Sequence, residues 1–270
     1  MKAIPILISL LLFILLPVGE LLAEFNPDDL IELKKTKECE FCSLSGANLA
    51  GQDLRQALLA GVDLKQARLQ HADLRGVDLR RANIRGAKFQ ESNLGGADLS
   101  NVSAKKANFL KAKLQGANFQ GADLQGANLN NISAEGANFE GANLKQSQIK
   151  DANLSGVNLN NARLQKAQLT YTNFFQAKLV MANLEAAEME RTDFEKANLQ
   201  DANLSQSNLY KASLIGANLR GANLEGANLK GSNLFQAILE EADLSEAQLE
   251  GATWVDGVIC QKDSIGFCKR

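Results

Sequence analysis

Proline is almost missing from this chain. There are three, Pro5, Pro17 and Pro27, and none from there to Arg270. A long stretch without proline can commit every backbone N–H to a hydrogen-bonded ladder. Histidine is reduced to His71 and tryptophan to Trp254. A lone histidine excludes metal centres built on several imidazoles, and no distinctive serine stands ready to complete a Ser–His–Asp triad around it. Cysteine is absent between Cys42 and Cys260, so thiol chemistry is confined to the two ends. Neither charge sign dominates: 29 Lys and Arg face 31 Asp and Glu, a net charge of −2. The 270 residues, 45% of them hydrophobic, would allow one large domain or two small ones.

What is present is a repeat. From Leu44 to Trp254 a five-residue unit, small–Asn/Asp–Leu–x–x, recurs 43 times without insertion or deletion. The central apolar residue is here called i. Position i−2 is small, as in Ala47, Ala72, Ala117 and Ala222, and i−1 is mostly Asn or Asp. Positions i+1 and i+2 are polar or Gly, and 17 of the 21 glycines stand at i+2. An unbroken period outranks any local reading.

Five residues fit neither common element. On an α-helix they advance about 500°, so an apolar stripe would drift around the axis. On a straight strand an odd step puts successive Leu residues on opposite faces. The chain must therefore turn once per unit, with i and i−2 inward, as in a β-solenoid. The phenylalanines at i say how many units close a coil. Phe89/Phe109, Phe119/Phe139 and Phe174/Phe194 are each 20 residues apart, which is four units and predicts a four-sided coil. At Val102/Ala104 and Ile132/Ala134 the two inward sizes are exchanged, nearly conserving core volume. A fixed slot for glycine predicts a corner with unusual φ/ψ or close backbone contact.

On this repeat the chain resembles the pentapeptide-repeat family, over about 210 of its 270 residues. The resemblance implies an all-β solenoid, a right-handed quadrilateral β-helix. The 43 units then make about 11 coils.

The ends differ from the body. Residues 1–23 read as a secretory signal peptide: Lys2 is basic, Ile4–Val18 is almost wholly apolar, and cleavage fits after Ala23. That leaves no integral span in the mature chain. Residues 24–43 form the expected N-terminal cap, with one short helix over Phe25–Lys37. Asn26 is its N-cap, Pro27 its first residue, and Asp28 and Asp29 suit its positive end. Phe25 and Leu30 make a hydrophobic staple, and Leu30, Ile31 and Leu33 supply the apolar face. The repeat then runs over 44–254, and 255–270 is a C-terminal cap. A rod of about 11 coils is about 50 Å long, beyond the roughly 7 Å that a disulfide tolerates between Cα atoms. The pairs are therefore Cys39–Cys42 and Cys260–Cys268. The latter closes a loop worth roughly 2.5 kcal/mol. The ends also resemble those of exported cyanobacterial pentapeptide-repeat proteins: Cys39-x-x-Cys42 entering the repeat, then Trp254-Val255-Asp256-Gly257, Cys260 and Ser264-Ile265-Gly266-Phe267-Cys268. That implies the periplasm or thylakoid lumen.

No catalytic, metal or cofactor site is expected. The surface offers two candidates instead. Residues 53–113 carry 12 Lys and Arg against 6 Asp and Glu, and the rest of the chain is net acidic. Lys65, Arg85 and Lys105 share one i+1 column and Arg55 and Arg75 another. The first is a candidate anion or acidic-partner column, or else a solvated wall. Phe175, Ile215 and Phe235 share an i+1 column with Glu195 and Val255, with Val180, Met181 and Tyr171 nearby. This is a candidate partner or dimer patch, or a seat for the C-terminal tail.

The expected function is a non-catalytic exported scaffold, monomeric or weakly dimeric, with a protein partner and no nucleic acid. The alternatives are a DNA-mimic topoisomerase inhibitor, a role that the family resemblance implies and that needs an acidic cytoplasmic rod, and a thiol redox protein using Cys39 and Cys42.

Overall fold

The computed structural model describes residues 25–270. The expected signal segment, 1–23, lies outside the described residues. Among these, no helix is long and apolar enough to cross a membrane.

Helix α1 spans Pro27–Thr36. Asn26 caps it, its Oδ1 accepting the Asp28 N–H at 3.0 Å. Asp28 and Asp29 stand in the first turn and Lys34 and Lys35 in the last, each complementing the helix dipole. The helix ends at Lys37, which adopts a left-handed φ of 61° and donates its N–H to the Leu33 carbonyl. It is seated on the first coil by Leu33, which is fully buried. Asn26 N–H donates to the Ser43 carbonyl at 2.8 Å and Ser43 N–H to Asp29 Oδ2 at 2.7 Å. Ile31 corrects the expected face: it is 63% exposed. Two residues on a helix differ by about 200°, so Ile31 points away when Leu33 points in.

Beyond α1 the chain coils. Parallel bridges run from Glu38↔Leu58 to Asn233↔Thr253, and each joins residues 20 apart. With one bridge per five residues, each coil has four sides. Extended strands do not form. Only residue i−1 of each side sits in a bridge, because the chain turns again at i+2.

One unit shows how the backbone is satisfied. Ala117 N–H donates to Leu114 O at 3.0 Å across the corner. Asn118 N–H reaches Ala97 O one coil below, at 2.9 Å. Phe119 and Gly121 N–H reach Asn138 O and Glu140 O one coil above, at 2.6 and 2.9 Å. The remaining donor, Gln120 N–H, has no coil to reach and binds Asn118 Oδ1 at 3.2 Å. The Asn/Asp at i−1 is thus the acceptor for the i+1 amide, which is why the pattern favours it.

The i and i−2 side chains fill the core. Phe89/Phe109, Phe119/Phe139 and Phe174/Phe194 stack with centroids 4.9, 4.8 and 5.1 Å apart and planes within 8°. That separation is the strand spacing itself. Phe109 and Phe119, on opposite sides of the coil, meet edge to face across the core at 5.9 Å. The exchanged pairs Val102/Ala104 and Ile132/Ala134 are all buried. Beside the second lies an apolar void of about 10 Å³ lined by Leu129, Ile132, Phe139 and Leu144. Where serine occupies i−2, its hydroxyl donates to a core carbonyl, as Ser92 does to Phe89 O at 2.7 Å.

Every i+2 residue from Gly46 to Gly251 has φ between 53° and 74°. The glycine slot is therefore a left-handed corner. Val, Ile and Thr never occupy it, since a branched Cβ suits that region worst. At Gly61 a second constraint acts: the Phe41 ring already stands 2.5 Å from where a Cβ would be. Ala186, at φ 53°, tests the corner rule. Ala186→Gly relieves about 1–2 kcal/mol of left-handed strain and returns about 0.4–1 kcal/mol to the unfolded chain, so it should raise the thermal midpoint slightly. Ala186→Val should lower it. Calorimetry of the three proteins checks the order.

Candidate functional site

Because 20 residues close a coil, i+1 side chains form straight columns up each wall. Lys65, Arg85 and Lys105 stand one above another on one wall. Arg68 and Lys88 lie on the adjoining wall, and Lys106 on the corner between. The opposite wall carries Arg55 and Arg75 below and Phe175, Glu195, Ile215, Phe235 and Val255 above, all in one column.

The two groups of cations differ. Arg55, Arg75 and Arg80 each fork onto the carboxylate two residues earlier. Their Nε and Nη2 atoms lie 2.9 and 2.8 Å from Asp53, 2.8 and 2.6 Å from Asp73, and 2.8 and 2.6 Å from Asp78. Each guanidinium, donating to its carboxylate, holds that Asp below the usual carboxylate range. Lys37 adds a contact to Asp53 at 3.3 Å. Lys65 and Arg85 have no such partner: among the described residues neither has a carboxylate within 4.0 Å. Lys105 reaches Asp123 at 3.3 Å. The Asp-Leu-Arg triplets at 53–55, 73–75 and 78–80 were the sequence signal for this difference.

The apolar column is only partly open. Phe175 is half-buried beneath Lys196, whose Nζ lies 5.5 Å from the ring centroid. Ile215 is half-buried. Phe235 is 40% exposed and packs beside Gly257, so the tail does meet this column. Val180 is half-buried, while Met181 and Tyr171 are 61% and 51% exposed.

Cys39–Cys42 and Cys260–Cys268 are bonded, with Cα separations of 5.4 and 4.9 Å. Cys39 and Cys260 are buried. His71 is solvent-exposed at a corner, with Nδ1 3.5 Å from Glu91. Among the described residues no cluster of His, Cys, Asp or Glu has the arrangement of a metal site.

A family model described as pentapeptide repeats matches residues 42–81, 82–121, 117–156, 152–189, 187–226 and 217–253. The chain belongs to the pentapeptide-repeat family. Among solved structures it is similar to HetL, a pentapeptide repeat protein involved in heterocyst differentiation regulation from the cyanobacterium Nostoc sp. Identity is 29%, over 87% of this chain and 99% of that one, with a TM-score of 0.40. A pentapeptide repeat protein from the Arabidopsis thaliana thylakoid lumen matches at 25% identity over 44% and 72%, with a TM-score of 0.17. The plasmid-mediated fluoroquinolone resistance protein QnrB1 matches at 21% over 68% and 85%, with a TM-score of 0.44. No curated protein matches the chain.

The forked pairs give a pH signature for this pentapeptide-repeat protein. Asp78 is depressed in the folded state, chiefly by its hydrogen bond with Arg80. Its stabilisation is therefore full above the unfolded carboxylate range and lost as pH falls through its lower folded value. In a carbon-detected NMR titration Asp78 should titrate below the ordinary Asp value, and Arg80→Gln should return it there.

Proposed function

We propose that this pentapeptide-repeat protein is a non-catalytic, exported scaffold whose outer wall docks a protein partner. In finer terms it is a right-handed quadrilateral β-helix of about 11 coils, capped below by α1 and partly covered above by the Cys260–Cys268 tail. The observation that carries the reading is the contrast between forked and free cations. Three arginines are neutralised by their own aspartates, whereas Lys65 and Arg85 stay available, on the wall opposite Arg55 and Arg75 and adjoining that of Arg80. A column of free cations at one-coil spacing suits an acidic protein surface, and focuses it more than scattered charges would. The half-open Phe175–Ile215–Phe235 column is the secondary contact. Two disulfides support the periplasm or thylakoid lumen. The burial of Cys39 favours a structural bond over redox chemistry. The free cations work against a uniformly acidic, duplex-like wall.

The test has two parts. Intact mass of thiol-blocked protein from its native host should show a chain beginning at Glu24 with no free thiol. In the same cells, chemical cross-linking should give a discrete heterologous adduct that weakens when Lys65→Glu and Arg85→Glu are combined. A chain beginning at Met1 with four blocked thiols would end the export reading. An adduct unaffected by the charge reversal would move the contact off this wall.

A further inference from the structure

The upper end of the solenoid is closed over only half its circumference. In the body of the coil the N–H groups of i and i+2 donate upward, and the i−2 carbonyl accepts from above. Leu219, Gly221 and Leu224 donate in this way to Ile238 O, Glu240 O and Asp243 O at 2.9, 2.9 and 2.7 Å. On two sides of the last coil the returning tail continues the pattern. Leu249 N–H meets Ser264 O, Gly251 N–H meets Cys260 O, and Gly266 and Cys260 N–H reach Ala247 O and Ala252 O. The bridges there are antiparallel, Gln248↔Ile265 and Thr253↔Ile259.

The other two sides, residues 237–244, receive nothing. Among the described residues the N–H groups of Leu239, Glu241 and Leu244 have no acceptor, and the carbonyls of Ala237 and Ala242 no donor. The core shows through at the same place. Leu219 and Leu224 are fully buried one coil below, whereas Leu239 and Leu244 are only half-buried, and the wall residue Ile238 beside them is 44% exposed. Ile265 and Phe267 of the tail, 55% and 62% exposed, border the gap.

The rim of this gap is acidic. Glu240, Glu241, Asp243 and Glu246 surround it, and among the described residues the only cation paired with any of them is Arg220, 3.2 Å from Glu241. Lys262 and Lys269 belong to the tail over the other half of the end. An open edge with unpaired donors and acceptors is a template for one more strand. Its charge selects the occupant. A second copy meeting this end by two-fold symmetry would bring four carboxylates against four, which opposes association.

We infer that the open edge at residues 237–244 binds an extended, basic peptide segment from a partner protein, laid on as one further half-coil. Two five-residue sides accommodate about ten residues. Its backbone donates to Ala237 O and Ala242 O and accepts from Leu239, Glu241 and Leu244. Small and aliphatic side chains cover Leu239 and Leu244, and outward Lys or Arg faces the carboxylate rim. This is a site apart from the Lys65–Arg85 wall and does not depend on that reading.

The probe is a fluorescein-labelled peptide of two copies of Ala-Lys-Leu-Arg-Gly, followed by anisotropy and by amide hydrogen exchange of the full protein. In the free protein the Leu239, Glu241 and Leu244 amides should exchange at least about 100-fold faster than those of Leu219, Gly221 and Leu224, as open edge groups do. Saturating peptide should slow the three edge amides at least about tenfold. Combining Glu240→Lys, Glu241→Lys and Glu246→Lys should weaken binding at least about tenfold, and added salt should do the same to the wild type. Lysine is at home in both slots, as Lys105 and Lys106 show, so the variant should fold. Edge amides already slow in the free protein would overturn the inference, as would peptide binding that leaves them fast. Equal binding of an Ala-Glu-Leu-Asp-Gly repeat would overturn the charge argument. Protection that grows with protein concentration alone would assign the edge to a second copy.

Discussion

The coil depends on where the fifth amide of each unit goes. Of five N–H groups, three reach a neighbouring coil and one closes the corner, so the i+1 donor is left over on every side of every coil. A buried or half-buried donor left unpaired costs about 1–3 kcal/mol, and here the shortfall would recur at each repeat. The side chain at i−1 supplies the acceptor from two residues away, and the same amides also ladder between coils, as Asn138 Nδ2 does to Asn118 Oδ1 at 3.2 Å. The polar residue that looks decorative in the pattern is thus as structural as the leucine beside it.

Two of the units without Asn or Asp at i−1 keep an acceptor by another route, whereas at Gln70 and Gln90, which follow Arg68 and Lys88, the amide has no partner among the described residues. At Gln148 and Lys178 the i−1 residue has no short carbonyl to offer. There the acceptor comes from the coil below: Lys150 N–H donates to Asn130 Oδ1 at 2.8 Å, and Val180 N–H to Asn160 Oδ1 at 2.9 Å. Corner geometry is the second recurrent demand. It is met by glycine at 17 corners, and at the others by residues whose Cβ is unbranched.

Much of this was legible from the period alone. Equal spacing of six phenylalanines gives four sides, and the rings do stack at one-coil separation. The inward assignment of i and i−2 follows from the same count. Other features were hidden for identifiable reasons. Ile31 lies on an isolated helix with too few residues for its apolar stripe to be unambiguous. Free and paired arginines look alike by composition, and only their distance from an aspartate separates them. The half-open upper end is invisible because the cysteine spacing fixes a loop's closure but not its path across the coil. The apolar column was legible as a column, with the C-terminal tail as one of its possible covers, yet the cover by Lys196 was not.

No unit is longer or shorter than its neighbours, so height along the axis is linear in residue number. Twenty residues advance the chain by the 4.8–5.1 Å that separates stacked rings, and five turn it by one side. Every outward side chain therefore has an address, a side and a storey, that arithmetic alone supplies. The wall behaves as a printed grid: its characters can be rewritten one at a time while the page stays flat. A spectroscopic label at any two addresses would have a separation known before it was measured, which makes the molecule a ruler with graduations one coil apart.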